Sequence, residues 1–228
     1  MNSRDWDYEE DEIKAVLFDL DNTLCDFVEA KIRACRAVTE HLDRTDDLLS
    51  YFTRGKYDIE DTENIRDYLE DRNLYGQELH GECACIYRDV KIESVSIYPG
   101  VKRTLETLRE KGMTIGIITD AFRENAVERL NKLGIGGYVD LLITCDVTGT
   151  KKKEGQPFRY ALEVLELAPE EVVLVGDSNE RDLNPAMEVG LYTVYAKYGD
   201  RNRPNNSELK YHAVIHSPEE LLEVLGFA

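Results

Sequence analysis

Residues 13–26 read IKAVLFDLDNTLCD, and the character of the chain changes halfway along them. Ala15, Val16, Leu17 and Phe18 make a nearly continuous apolar run, which suits a strand buried on both faces of a parallel sheet better than a half-exposed one. The run ends at charge. Asp19 and Asp21 stand two apart where the chain must turn, so both carboxylates can face a crevice at the carboxyl edge of the sheet. Ligands of open α/β sheets bind in such crevices.

The rest of the chain supports such a sheet. After a break at Tyr98-Pro99-Gly100, Val101, Leu105 and Leu108 form one helix face that ends at Lys111-Gly112. Residues 114–119 (TIGIIT) are a β-branched strand, followed by a helix expected to bury Ala126, Val127, Leu130 and Leu133 before Gly134. Further strands are expected at 139–144, 172–175, 192–194 and 213–215, with helical patterns at 157–166, 181–189 and 218–225. This alternation implies an α/β fold, a three-layer Rossmann-like core with a parallel sheet and right-handed crossovers.

Between the first strand and residue 97 the pattern is helical only. Ala30, Ala34, Val38 and Leu42 recur at four-residue steps, Ile65, Tyr68 and Leu69 mark a second helix, and residues 79–87 a third. The expected organisation is therefore a core of residues 1–26 and 97–228, with residues 1–12 an acidic arm, and a small helical domain of residues 27–96. That insert holds no general basic trap for phosphate, and its tyrosines and arginines (Tyr51, Arg54, Tyr57, Arg66, Tyr68, Arg72) read first as packing and solvated faces.

Composition narrows the function. The chain has 228 residues, 46 acidic against 28 basic, and a formal net charge of -18. Such a chain repels a nucleic acid backbone at long range, so an anionic substrate has to be held by local groups or by a metal ion. No apolar run reaches the length of a membrane span, and five cysteines without a repeating framework fit a reducing cytoplasm. His80, Cys83 and Cys85 lack a fourth ligand nearby and read as packing.

Four segments carry a resemblance. Asp19-Leu20-Asp21-Asn22-Thr23-Leu24 is similar to the first motif, DxDx[TV], of the haloacid dehalogenase superfamily of phosphohydrolases; Thr119 at a strand end matches the second. Lys152, six residues before Phe158, matches the third, although the prolines usual there are replaced by Lys153 and Gly155, and a small shift would select Lys153. Val172-Val173-Leu174-Val175-Gly176-Asp177 followed by Asp182 matches hhhhGDxxxxD, the most specific of the four. The helical insert resembles the cap found at that point in one branch of the superfamily, where it governs substrate choice.

The residues agree with that chemistry on their own terms. Asp19, Asp177 and Asp182 are hard oxygen ligands on neighbouring strand ends, suited to Mg2+, and Lys152 with Thr119 can stabilise charge on phosphate oxygens. The resemblance implies more. Asp19 is then the nucleophile that forms an aspartyl-phosphate, Asp21 the acid and base, and the metal site comprises Asp19, Asp21 through its carbonyl, Asp177, and Asp182 as ligand or anchor.

The resulting expectation is a Mg2+-dependent phosphatase for a small phosphorylated metabolite, such as a sugar phosphate, a phosphoglycolate-like acid or a nucleotide monophosphate. It needs no nucleic acid polymer or membrane, and acts as monomer or dimer. The alternatives are a phosphomutase of the same superfamily and a non-catalytic regulatory or binding member. Asp120, beside Thr119 where many relatives carry Asn, departs from the pattern and would repel a phosphate unless turned away.

Overall fold

The computed structural model describes residues 13–201 and 210–227, so the acidic arm at 1–12 lies outside the described residues. Strand β1 (Ala15–Phe18) is buried along its whole length. It is hydrogen-bonded in parallel on both sides, Phe18 lying opposite Ile117 of β2 (Thr114–Thr119) and Val175 of β4 (Val172–Gly176). With β3 (Leu141–Thr144), β5 (Tyr192–Ala196) and β6 (Ala213–Ile215), the parallel sheet has the order β3-β2-β1-β4-β5-β6. The strand order therefore reverses at β1, where β2 leaves on one side and β4 on the other. The open crevice of an α/β sheet lies there.

Period two along β1 separates its two faces. Ala15 and Leu17 pack with Ile118, Val172 and Leu174 against Phe158 of α8 (Gln156–Leu165) and Ala186 of α9 (Asn184–Val189). Phe18 lies on the other face, with Val101 and Leu105 of α5 (Val101–Glu110) and Leu221 of α10 (Glu220–Val224). Helices thus cover both faces, which explains why these strands are apolar throughout rather than alternating. The fold is the three-layer, Rossmann-like α/β arrangement.

The chain divides into two compact units, one running to Asp26 and resuming at Ile97, the other Phe27–Ser96. The second holds α1 (Phe27–His41), α2 (Leu49–Thr53), α3 (Glu63–Glu70) and α4 (Gln77–Ser94), and no strand among its residues. Its own core joins Ala34, Val38, Phe52, Ile65, Leu69 and Cys83, with Phe52 and Tyr87 stacked 4.5 Å apart. Within this unit the polar side chains largely serve each other. Arg54, Lys56 and Tyr57 converge on Asp67, and Arg72 lies 3.7 Å above the Tyr68 ring while it pairs with Asp46. Cys83 is buried in that core and Cys85 is exposed.

Two details of the core unit differ from the expected pattern. On α6 (Arg123–Leu133), Val127 is 37% exposed and Arg129 only 2% exposed, so a basic residue takes the inward place that periodicity assigns to valine. The helix expected from residue 181 begins instead as a π turn, Asn179–Leu183, and becomes α-helical only at Asn184.

Candidate active site

The carboxyl ends of β1 and β4 build the site. Asp19 follows β1 directly, its N–H bonded to the Val175 carbonyl at 2.9 Å, and Gly176-Asp177 close β4 beside it. The π turn then brings Asp182 back. Both Asp182 and Leu183 donate to the Ser178 carbonyl, at 2.9 and 3.1 Å, and Asp182 Oδ2 accepts from the Ser178 N–H at 2.9 Å. A widened turn of this kind folds a side chain inward instead of along the helix. It also explains Gly176, since a Cβ there would lie 2.5 Å from the Cβ of Asp182.

Asp19, Asp177 and Asp182 are all buried, and each places an oxygen within 4.8 Å of the others. Lys152 enters this cluster from a short 3-10 turn, Lys152–Glu154. Lys152 is 1% exposed, and its ammonium pairs with Asp19 Oδ1 and lies 2.6 Å from Asp182 Oδ1, whereas Lys153 is exposed. Burial works against the Lys152 charge, but Asp182 and Asp19 outweigh it and hold the amine protonated. Arg181 is the second cation, its Nη2 4.0 Å from Asp177 Oδ1; against the cost of burial, Asp182, Asp177 and Asp19 raise its pKa further.

Even so, the carboxylates are under strain from each other. Burial first, and then Asp19 and Asp182, push the Asp177 pKa well above the ordinary carboxylate range, with Arg181 and Lys152 opposing. Asp19 is also raised, mainly by burial, while Lys152 pulls it back. Three clustered, buried carboxylates outnumber the two cations, and their mutual repulsion favours a further positive charge among them. A divalent cation of the oxygen-seeking kind fits that donor set, and these three side chains would hold it.

The expected residues Thr119 and Asp21, and the divergent Asp120, make contacts of their own. Thr119, at the end of β2, accepts from the Ala121 N–H at 3.2 Å, which leaves its hydroxyl proton for donation. Asp120 is turned aside, its carboxylate accepting the Lys152 backbone N–H at 2.8 Å. Asp21 is directed to Arg129, with which it forms an ion pair. It does not join the three clustered aspartates.

Further side chains complete the surroundings. Thr23 donates to Asp19 Oδ2 at 3.3 Å, and the Tyr198 hydroxyl donates to the Thr23 carbonyl at 2.7 Å. Tyr198 belongs to a 3-10 turn after β5, Lys197–Gly199, which presses on the loop following β1. Gly199 is required there, because a Cβ would come within 1.5 Å of the Asn22 carbonyl oxygen. Arg181 lies at a variable place inside its motif, whereas Thr23 occupies the Thr/Val position of the first motif. Arg129 and the 197–199 turn carry no local signal at all.

A family model for haloacid dehalogenase-like hydrolases matches residues 13–190. The chain is 30% identical over 227 residues to glyceraldehyde 3-phosphate phosphatase of Methanocaldococcus jannaschii, an alignment that covers 93% of this chain and 97% of that one. It is 31% identical over 198 residues to ribulose-1,5-bisphosphate 5-phosphatase of Halopiger xanaduensis, covering 79% and 83%. Among solved structures, a phosphatase of the same family from Thermococcus onnurineus superposes with a TM-score of 0.67 at 28% identity, covering 94% of this chain and 98% of that one. The match over most of the chain, on a sheet whose strand ends gather these aspartates, places the protein in the haloacid dehalogenase-like hydrolases, on the phosphatase side of that family.

Proposed function

We propose that the protein is a Mg2+-dependent phosphatase that hydrolyses a small phosphorylated metabolite through a phosphorylated Asp19. The observation that carries this reading is the Asp19–Lys152–Asp182 arrangement with Asp177 beside it, at the point where the strand order reverses. The relatives support the substrate class: their names specify phosphate esters of short sugars and of glycolate. A sugar phosphate, a phosphoglycolate-like acid or a nucleotide monophosphate belongs to the same class.

When bound, Mg2+ supplies positive charge to the phosphate oxygens and removes their repulsion from the carboxylates. Asp19, Asp177 and Asp182, with the Asp21 main-chain carbonyl, are the proposed ligands. An Asp19 oxygen attacks phosphorus, while Lys152 and the Thr119 hydroxyl take the charge of the transferred group. Asp21 protonates the departing alkoxide and afterwards takes a proton from the water that cleaves the acyl phosphate. The helical unit 27–96 is proposed as the cap that selects the substrate.

The test is phosphate release from a panel of sugar phosphates, phosphoglycolate, nucleotides and an aryl phosphate. Asp19→Asn is expected to lower kcat by at least roughly a thousandfold, as loss of a covalent nucleophile does. Chelation should abolish turnover, and Mg2+ should raise the Tm of the native protein but not of Asp177→Asn. Absence of phosphate release across the panel would overturn the phosphatase reading; isomerisation of a sugar phosphate without release would replace it with a mutase.

A further inference from the structure

Among the described residues Arg129 has the largest fully buried side chain, and it reaches Asp21 from the middle of α6. Its side chain is 2% exposed and that of Asp21 19%, so the guanidinium grips the carboxylate from the protein side and leaves another edge open. Only Oδ2 of Asp21 pairs with Arg129; Oδ1 lies 4.0 Å from the Cys25 sulfur, at the outer limit for a thiol contact. The Asp21 backbone is fixed as well, by a bridge to Cys25, which in turn bridges Ile97. With the main chain fixed and one oxygen anchored, the two side-chain torsions of an aspartate have little freedom left, and the direction of the second oxygen is set.

We propose that Arg129 is a positioning residue for Asp21: by anchoring Oδ2 it aims Oδ1, the oxygen that hands a proton to the leaving group. The inference rests on the phosphatase reading above. In the step concerned, the bond from Asp19 to phosphorus forms and the bond from phosphorus to the leaving oxygen breaks. Its electron pair goes to that oxygen, and the proton on Asp21 Oδ1 passes to it. A basic leaving group depends on this proton; 4-nitrophenolate leaves without it. Arg129 therefore matters in proportion to leaving-group basicity, which a residue that merely holds α6 in place does not.

The experiment compares kcat/KM for 4-nitrophenyl phosphate and phenyl phosphate in the native chain, Arg129→Met, Arg129→Lys, Asp21→Asn and the double variant Asp21→Asn/Arg129→Met, each with its Tm. Arg129→Met should lose roughly tenfold more on the phenyl ester than on the nitrophenyl ester, and Arg129→Lys should recover part of it. In the Asp21→Asn background the Arg129 substitution should leave the ratio between the esters unchanged, because residues that act as one unit are not additive. Equal loss on both esters, or a selective loss that persists without Asp21, would overturn the inference while the phosphatase reading stands. If Arg129→Met fails to fold, the same ratio measured in Arg129→Lys, with and without Asp21→Asn, decides. A native chain inert toward both esters and toward the metabolite panel would remove the phosphatase reading and this inference together.

Discussion

Lys152, Arg129 and Asp182 are charged side chains with almost no exposure, and each is held by a charge from a distant part of the chain. Buried ions of this kind are costly singly and tolerable in pairs, and removal of one partner strands the other. Their types and spacing made Asp182, and Lys152 alongside Lys153, readable as candidate site residues. Arg129 was not readable, since a basic residue on a helix is ordinarily solvated. A half-buried group makes stability depend on pH. The His212 ring stacks on Tyr192 at 4.8 Å, and its Nδ1 accepts the Thr193 N–H at 2.9 Å, so the nitrogen must be unprotonated. Burial lowers its pKa below that of the unfolded chain. The unfolded state therefore takes up the proton first: the stabilisation is complete above about pH 6.5 and is lost as pH falls below it. In His212→Asn, whose amide oxygen can replace Nδ1, the drop in urea midpoint between pH 7.5 and 5.5 should be smaller than in the native chain.

Elements show how few contacts carry the site. The fourth motif was readable as a strand ending at Gly176-Asp177, because four apolar residues before a glycine and an acid have a clear period. The π turn after it was not, since widening by one residue depends on Asp182 reaching back to the Ser178 N–H rather than on helix propensity. The turn after β5 has a comparable role. Gly199 lies against the Asn22 carbonyl, Tyr198 holds the Thr23 carbonyl, and Arg201 pairs with Asp26 at 2.9 Å, so this turn braces the loop that carries Asp21. Gly199→Ala should push that loop outward, with a loss of roughly 1–3 kcal/mol in stability, as overpacking costs, and a disproportionate fall in kcat. Denaturant unfolding and phosphate release measure the two. An unchanged kcat in a destabilised variant would mean that the turn supports the fold and not the site.

At the scale of the whole molecule, the two points at which the core unit is interrupted by segment 27–96 are adjacent. Cys25 bridges Ile97, and the Tyr98 N–H donates to the Leu24 carbonyl at 3.1 Å, which sets the ends of segment 27–96 side by side within the core unit. A short Gly-Ser link can therefore replace that segment without opening the sheet. The shortened chain is expected to unfold cooperatively with a smaller denaturant m-value, in keeping with the surface it no longer buries. On the proposed reading it should keep kcat/KM for 4-nitrophenyl phosphate within roughly tenfold and lose its preference among metabolites, since the carboxylates and Lys152 all belong to the core. Preserved discrimination among metabolites would refute the cap assignment.

The sequence by itself determined the α/β class, the helical character of residues 27–96 and the three aspartates, Asp19, Asp177 and Asp182, that gather at the sheet edge. Each of these is written in local period, in the register of a strand end, or in motif spacing. Only the tertiary structure decided which lysine enters the cluster, that Asp120 turns to the Lys152 backbone, that Arg129 is buried against Asp21, and that Gly199 touches the first loop. The physical reason is the same in all four. These are pairings between residues tens to more than a hundred positions apart, and a buried charge or a missing Cβ has meaning only once the partner that requires it has been brought alongside.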